Sequence, residues 1–262
     1  MTNLIVNALE KVRRHGVGGT ARRIKAHVLP RRSKLQRYAT LFSGHGLEIG
    51  GPSDNFRPIG FVGVYTVAKR IDNVNFASQT TWERSIVAGN TFKFHKNNEP
   101  GKQFICEAAD LSVIPSASYD FLLSSHTLEH TANPIQALKE WMRVLKNGGH
   151  LLVALPDKEK CFDHRRPVTT LAHMIEDFEA GKDETDLTHR EETIKLHDLS
   201  MSPEIPDVEF LEARSLKNFE NRCLHHHTFT SGSAVSLFKH VGLSVLETDW
   251  QPPHHLLFLM QK

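Results

Sequence analysis

The run from Tyr119 to Pro156 leaves this chain few folds to choose from. Tyr119-Asp-Phe-Leu-Leu-Ser-Ser125 has the pattern of a buried strand, Asn133 to Lys146 that of a helix, and His150-Leu-Leu-Val-Ala-Leu-Pro156 that of a second buried strand. Asn133 is a good N-cap and Pro134 suits the first helical position. Ile135, Leu138, Trp141, Met142 and Leu145 fall along one helix face, which should pack on a sheet, and Gly148 is expected to end the helix. Strand, helix and strand in that order make a unit of an open α/β sheet, and such sheets bind ligands at the carboxyl edge of their strands. Ser124-Ser125-His126 stand at that edge.

A second unit lies upstream. The apolar strand Gly46-Leu-Glu48-Ile49 runs into Gly50-Gly51-Pro52. Two residues without a Cβ let the backbone turn sharply and let a ligand approach closely. A carboxylate just before the turn can orient the loop or accept a hydrogen bond from a ligand. Gly-Gly-Pro is also an ordinary way to end a strand.

Glu48-x-Gly50-Gly51, Ala109-Asp110-Leu111, Leu128-Glu129-His130 and the run from Leu138 through Gly148-Gly149 to Leu155-Pro156 together resemble a class I S-adenosylmethionine-dependent methyltransferase, of the type 11-like kind associated with bacterial glycans. The resemblance is good over about residues 44–160 and looser over the final strand pair. It implies a doubly wound, mostly parallel seven-stranded α/β sheet of Rossmann-like form, with a largely helical insertion after strand five. It implies S-adenosyl-L-methionine as cofactor. Carried onto this chain, it places Glu48, Gly50, Gly51, Pro52, Asp72, Asp110, Leu111, Ser125 and His126 around that cofactor. In the family an acid followed by a hydrophobe contacts the adenine, the role Asp110 and Leu111 would take. Their plain reading is a surface Asp capping a turn before Ser112.

Two departures stand out. Pro52-Ser53 follow where the family has further glycines. Taking Phe61-Val-Gly-Val-Tyr-Thr66 as strand two, its end carries Thr66-Val67 where most members have a ribose-binding acid, and Asp72 comes several residues late. Residues 73–102 read as an extra piece: a short helix around Thr81-Trp82-Glu83, an edge strand Thr91-Phe-Lys-Phe-His95, turn chemistry at 97–101 and a third strand Phe104-Ile105-Cys106.

The outer bounds fit. A chain of 262 residues with 39% hydrophobic residues suits one domain with insertions, and a formal charge of +2 gives no overall field that points to nucleic acid. Cys106, Cys161 and Cys223 are far apart and form no C-x-x-C pair, which suits a reducing cytoplasm. No apolar run has membrane-spanning length, and the N-terminus lacks the form of a secretory signal. Residues 1–40 read as a basic helical arm, with helices expected near 4–12 and 20–28, and residues 41–262 as the methyltransferase domain. Two readings of the arm are open: a solvated segment packing one apolar stripe, or a peripheral foot on anionic lipid or a partner.

Histidine is the outlier, with 17 in the chain. Many fall in the stretch 157–230, read as an inserted acceptor-binding cap. Leu171, Met174, Ile175 and Phe178 mark a short amphipathic helix there, closed by Gly181. Long loops at a ligand edge are usually functional, and imidazole, carboxamide and guanidinium groups suit sugar hydroxyls or phosphates. His126, His164, His225 and His227 are the candidate bases for a hydroxyl acceptor, since an imidazole titrates near neutral pH. His130 reads as an orienting residue. No metal is assigned, because the insertion lacks H-E-x-x-H or a tight ligand spacing. The reading is methylation of a polar small molecule or glycan, foremost a sugar O-methylation. A cofactor-less binding module of the same fold and a metal-dependent hydrolase built on the histidines are the alternatives.

Overall fold

The structure, a computed structural model, describes residues 32–83 and 85–262. The helices expected near 4–12 and 20–28, and with them the lipid-facing foot, lie outside the described residues. Strands β1 (His45–Ile49), β2 (Arg70–Asn75), β3 (Gly89–Phe92), β4 (Gly101–Ile105), β5 (Tyr119–Ser125), β6 (Leu145–Pro156), β7 (Ser244–Gln251) and β8 (His255–Gln261) form one sheet in the order β3-β4-β2-β1-β5-β6-β8-β7. β4, β2, β1, β5 and β6 run parallel, while β8 is antiparallel to both β6 and β7. The expected seven strands are present, and β3 adds an eighth, antiparallel along the edge of β4.

Strand two is not where the apolar run suggests. Phe61-Val-Gly-Val-Tyr-Thr66 is a loop ending in a 3-10 turn, Val64–Thr66, whose Phe61, Val62, Val64 and Tyr65 are buried beside Leu35 and Phe42. The strand is Arg70-Ile-Asp-Asn-Val-Asn75, and its register with β1 pairs Asp72 with Leu47 and Val74 with Ile49. The short helix expected near Thr81–Glu83 is a bend.

The helix after β5 is α1 (Pro134–Val144). Asn133 caps it through Gln136 N–H at 3.0 Å, and Pro134 holds the first position. It stops at Val144, where Leu145 turns to extended backbone and joins β6, so Gly148 is a later turn (φ 73°) rather than the helix end. The Trp141 side chain is fully buried, and its indole N–H donates to the Ala108 carbonyl at 2.9 Å, anchoring the loop after β4.

The insertion carries α2 (Leu171–Glu179), α3 (Arg190–Leu196), α4 (Val208–Leu216) and α5 (Asn218–Asn221), and α6 (Ser231–His240) follows it. α6 opens with a reciprocal cap between Thr230 and Ser233, which satisfies two N-terminal donors at once. Buried side chains form one core on each face of the sheet, one around Leu138, Trp141 and Phe238, the other around Phe42, Phe121 and Leu257. Residues 34–42, which span the boundary expected at residue 40, are a 3-10 helix that buries Leu35, Ala39 and Phe42 in the second core. Among the described residues no helix is long and apolar enough to cross a membrane.

Candidate active site

β1 delivers the glycine turn to the carboxyl edge of the sheet. Gly50 has φ 80°, and a Cβ built there would come within 2.5 Å of Thr127 Oγ1. A Cβ on Gly51 would meet the Glu48 carboxyl at 2.3 Å. Both positions therefore need glycine, one for conformation and clash, the other for close approach. The turn is clamped from two sides. The Asn73 carboxamide of β2 accepts from Gly51 N–H at 3.0 Å and donates to Gly51 C=O at 3.1 Å. The Glu48 carboxyl accepts from Ser53 N–H at 3.0 Å and from the Tyr65 hydroxyl at 2.7 Å. Burial pushes the Glu48 carboxyl up to about 8, against the opposing pull of the Tyr65 and Ser53 hydrogen bonds.

Above this turn lies a cleft of ≈ 520 Å³, within the range of small-molecule sites. Its floor is Gly50, Gly51 and Pro52, its first wall Asn75 and Phe76 at the end of β2, and its second Cys106, Glu107 and Ala108 after β4. Ser125 and His126 close the β5 end, with Ser125 Oγ held by the Asn55 amide at 2.8 Å. Trp82 and His130 stand at the mouth, and the insertion contributes Glu184 and Arg222.

Two imidazoles face this cleft. His126 adopts φ 53°, a left-handed conformation that a residue with a Cβ holds only when its surroundings fix it. Its ring lies 3.3 Å (Nδ1) from the Glu129 carboxylate and 2.7 Å (Nε2) from His255 Nδ1. Glu129 is fully buried. Burial alone would raise its carboxyl, but His126, His130 and His225 hold it below its ordinary value. His130 donates from Nδ1 to the Leu224 carbonyl at 3.2 Å, which leaves Nε2 as an acceptor. Burial, reinforced by His225, pushes its pKa down to about 4, so it is neutral at pH 7.

The insertion side is charged. Arg222 pairs with Glu107 at 2.5 Å and lies 3.8 Å (Nε) from Glu184 Oε2. Arg222 Nε and Glu184 Oε2 are both buried and both lack a hydrogen-bond partner. Burial raises the Glu184 carboxyl to about 7, opposed by Arg222 and by the bond from Ala132 N–H.

The structure brings five of the sequence-predicted residues together on the cleft: Gly50, Gly51, Pro52, Ser125 and His126. Glu48 supports the loop from beneath instead of lining the cleft. Asp72 lies three residues before the end of β2, among Arg70 Nε (2.9 Å), Lys102 N–H (2.7 Å), Tyr119 O–H (3.1 Å) and His45 Nε2 (3.1 Å), so it ties strands together and does not reach the cleft. Asp110 is exposed and accepts from Ser112 N–H at 3.0 Å, and Leu111 is fully buried in the core. Their place on the cleft is taken by Glu107 and Ala108, because β4 ends at Ile105 and the next residues form the wall.

The insertion histidines also lie elsewhere. His164 bonds Asp198 at 2.9 Å, and His227 is fully buried with Nε2 donating to the Ala132 carbonyl at 3.2 Å. His225 bonds Asp163 at 2.5 Å, packs on His130 with ring centroids 4.5 Å apart, and lines a smaller adjoining cavity of ≈ 150 Å³. Of the four candidate bases, His126 alone lines the main cleft. The residues that sequence reasoning missed are Asn75, Glu107, Trp82, Glu184 and Arg222. Asn75 and Glu107 could have been found as the first polar residues at or after correctly placed strand ends. The other three carry no local signal.

A family model described as a methyltransferase domain matches residues 85–153. No curated protein matches the chain. Among solved structures, an S-adenosylmethionine dependent methyltransferase from Mesorhizobium loti aligns over 87% of this chain and 95% of its own, with a TM-score of 0.50 at 11% identity. One from Aquifex aeolicus covers 87% and 89%, at 0.46 and 11%. The 1,6-didemethyltoxoflavin-N1-methyltransferase of Burkholderia thailandensis covers 100% and 89%, at 0.46 and 11%. The domain match runs from the edge strand into β6, on a sheet whose order and strand-end cleft agree with it, so over this part of the chain the sequence is similar to a methyltransferase domain, and the fold as a whole is like that of solved S-adenosylmethionine-dependent methyltransferases.

Proposed function

We propose that this enzyme methylates a hydroxyl of a polar small molecule, a sugar or sugar-bearing acceptor of the kind used in polysaccharide synthesis. The observation that carries the reading is the pair of unsatisfied buried atoms on the cleft wall, Arg222 Nε and Glu184 Oε2, 3.8 Å apart. A buried polar group without a partner costs free energy until something fills the place. A hydroxyl is both donor and acceptor and can serve the two at once. Trp82, exposed at the mouth beside them, offers the flat apolar face that the C–H side of a sugar ring needs. A polar acceptor is the class that uses all three.

The residues present fit the cofactor. Gly50 and Gly51 give close backbone approach, Asn75 closes the end of β2 with its carboxamide oxygen held by Asn73 and Gln103, and Glu107 with Ala108 offers a carboxylate and a small apolar surface for a base. When bound, the cofactor supplies a sulfonium methyl that is already activated. The protein then has to align the acceptor oxygen, exclude water and take one proton. His126 is placed for the proton. The Glu129 carboxylate 3.3 Å from Nδ1 favours the tautomer with Nε2 as acceptor and stabilises the imidazolium that forms, and Nε2, which faces His255 Nδ1 at 2.7 Å, takes the proton once the acceptor displaces that contact. Arg222 and Glu184 hold and orient the acceptor.

Two measurements test this. Calorimetry with S-adenosylhomocysteine should show binding of micromolar order, since the apolar and polar contacts of such a cleft support it. A radiolabelled methyl-transfer screen over free sugars, sugar nucleotides and, as the contrast, amines and small aromatics should label a hydroxylated sugar. With that acceptor, His126→Asn, which tolerates the left-handed backbone, should lower turnover by roughly 10²–10⁴-fold with cofactor affinity nearly intact. Labelling confined to amines or aromatics would remove the sugar reading. Unchanged turnover in His126→Asn would remove the base.

A further inference from the structure

Three side chains of the insertion meet away from the cleft. His173 and Asp177 are one turn apart on α2 and so share a face. His189 stands at the N-cap of α3. His173 Nε2 lies 3.0 Å from His189 Nε2 and 3.3 Å from Asp177 Oδ2. All three donor atoms fall within 4.8 Å of one another.

Protons alone do not satisfy this group. At most one N–H lies between the two facing nitrogens, and it cannot also serve the carboxylate. Asp177 is only 5% exposed, and its Oδ2, the atom turned toward the imidazoles, has no hydrogen-bond partner. His227 Nε2, 3.9 Å from that oxygen, is committed to the Ala132 carbonyl at 3.2 Å. Two imidazole nitrogens and a carboxylate oxygen converge, and a cation in their midst could take a lone pair from each.

The spacing suits a small divalent ion. Zinc binds imidazole nitrogen and carboxylate oxygen at about 2.0–2.2 Å, and a tetrahedron with such bonds sets its ligands about 3.3–3.5 Å apart. The observed 3.0 and 3.3 Å need little adjustment. His173 and His189 are partly exposed, which gives an ion an entry path and leaves a coordination position facing solvent.

We propose that His173, Asp177 and His189 form a zinc site with two nitrogen ligands, one oxygen ligand and one position open to water. Its place in the chain says what the ion does. It joins α2 to the start of α3 and closes the loop between them, and that loop carries Glu184 to the wall of the cleft, where it accepts from Ala132 N–H at 3.2 Å. The ion is a clasp that fixes one wall of the site, without contact to the reacting atoms. It stands independently of which acceptor the cleft takes.

The test uses the full chain, stripped with a chelator and titrated with Zn²⁺ alone or Co²⁺ alone. One equivalent should bind, the Co²⁺ form should show the visible absorption of a four-coordinate nitrogen–oxygen site, and the melting temperature should rise with metal. Asp177→Asn and His189→Ala should each weaken binding by roughly 100-fold or more, since even an outer-shell change costs 10–100-fold. His164→Ala should bind like the wild type. Less than about a tenth of an equivalent in the wild type would overturn the site, as would undiminished binding in either ligand variant. If the variants do not fold, X-ray absorption on the Co²⁺ protein decides: two imidazoles with oxygen support the assignment, and sulfur or three imidazoles overturn it.

Discussion

Two buried carboxyls hold the two halves of this molecule in opposite ways. Glu48, under the glycine turn, is surrounded by neutral donors: the Tyr65 hydroxyl and the Ser53 amide. Burial raises it to about 8. Asp163, in the insertion, is equally buried but faces the Arg166 guanidinium at 3.1 Å and the His225 imidazole at 2.5 Å. Burial there is outweighed by His225 and then Arg166, and the carboxyl falls to about 2. The cofactor half is thus built from uncharged hydrogen bonds on a sheet whose strands already fix the backbone. The insertion lacks that scaffold and is held by a network of charges in which each member needs the others.

The largest effect should come from cutting that network. Arg166 also donates to the His225 and His226 carbonyls and to Glu192, so removing Asp163 leaves a buried cation with only part of its partners. Asp163→Ala should cost about 3–5 kcal/mol in chemical denaturation. The sign with pH follows from the lowered carboxyl: its contribution is full above the ordinary Asp value and lost as pH falls toward about 2. If Asp163→Ala unfolds at the wild-type denaturant midpoint, the insertion is held by its apolar contacts and the contrast with Glu48 disappears.

Glu48 should behave in the reverse direction. A folded-state value raised to about 8 means that the protonated form is the stable one. Stability is full below the ordinary Glu value and falls as pH rises from about 5 through 8, by on the order of 4 kcal/mol. Glu48→Gln keeps the shape without the charge and should abolish that decline. Thermal unfolding of both proteins at pH 5 and pH 8.5 reads the difference. Parallel pH profiles would show that Glu48 is ionised in place, with the two halves alike.

The same contrast explains what could be read in advance. The β5–α1–β6 unit, the glycine turn and the final helix and strand pair announce themselves through apolar periodicity and caps such as Asn133 and Thr230, because burial on a sheet imposes that pattern. β2 hides, although it is a central strand. Its Asn73 and Asn75 spend their side chains on a buried hydrogen-bond network with Gly51 and Gln103, so it reads as polar. The apolar run before it is a plug for the second core. Misplacing that one strand also misplaced Asp72. In the insertion, residue types marked polarity but not which residues reach the cleft. Trp82, Glu184 and Arg222 come together from segments far apart in sequence, and no local spacing records such a meeting. His164, His225 and His227 lie off the main cleft, and each has a structural partner in Asp198, Asp163 or the Ala132 carbonyl.

A smaller effect should separate binding from stability in the cofactor half. Gly50→Ala places a Cβ at φ 80° and against Thr127 Oγ1, a strain of roughly 1–2 kcal/mol. The turn can relieve it by shifting into the cleft, at the expense of the bonds that hold it: Gly50 N–H to the Val74 carbonyl, Gly51 N–H to Asn73 and Ser53 N–H to Glu48. Affinity for S-adenosylhomocysteine should therefore fall by about tenfold or more while the melting temperature falls by a few degrees. Unchanged affinity would place the ligand elsewhere on the sheet edge.

The smallest effect should come from His164, and it tests whether the insertion's charges matter away from its buried network. His164 bonds Asp198, but Arg165 reaches the same carboxylate oxygen at 2.9 Å and Ser200 donates to the other oxygen at 2.7 Å. Removing the imidazole leaves Asp198 with partners and with solvent at hand. A half-exposed side chain of this kind contributes little, because water replaces what is lost. His164→Ala should move the melting temperature by no more than about 2 °C. It should leave turnover on the acceptor within a factor of about two, against the loss of roughly 10²-fold or more expected at His126. The pairing makes the measurement sharp: two histidines, both foreseen as bases, one lining the cleft at the end of β5 and one outside it. A tenfold fall in turnover for His164→Ala with an unchanged melting temperature would mean that the insertion closes further over the acceptor than its charge network now holds it. The insertion would then be a moving lid, and the difference between the two halves would be one of mobility as well as of charge.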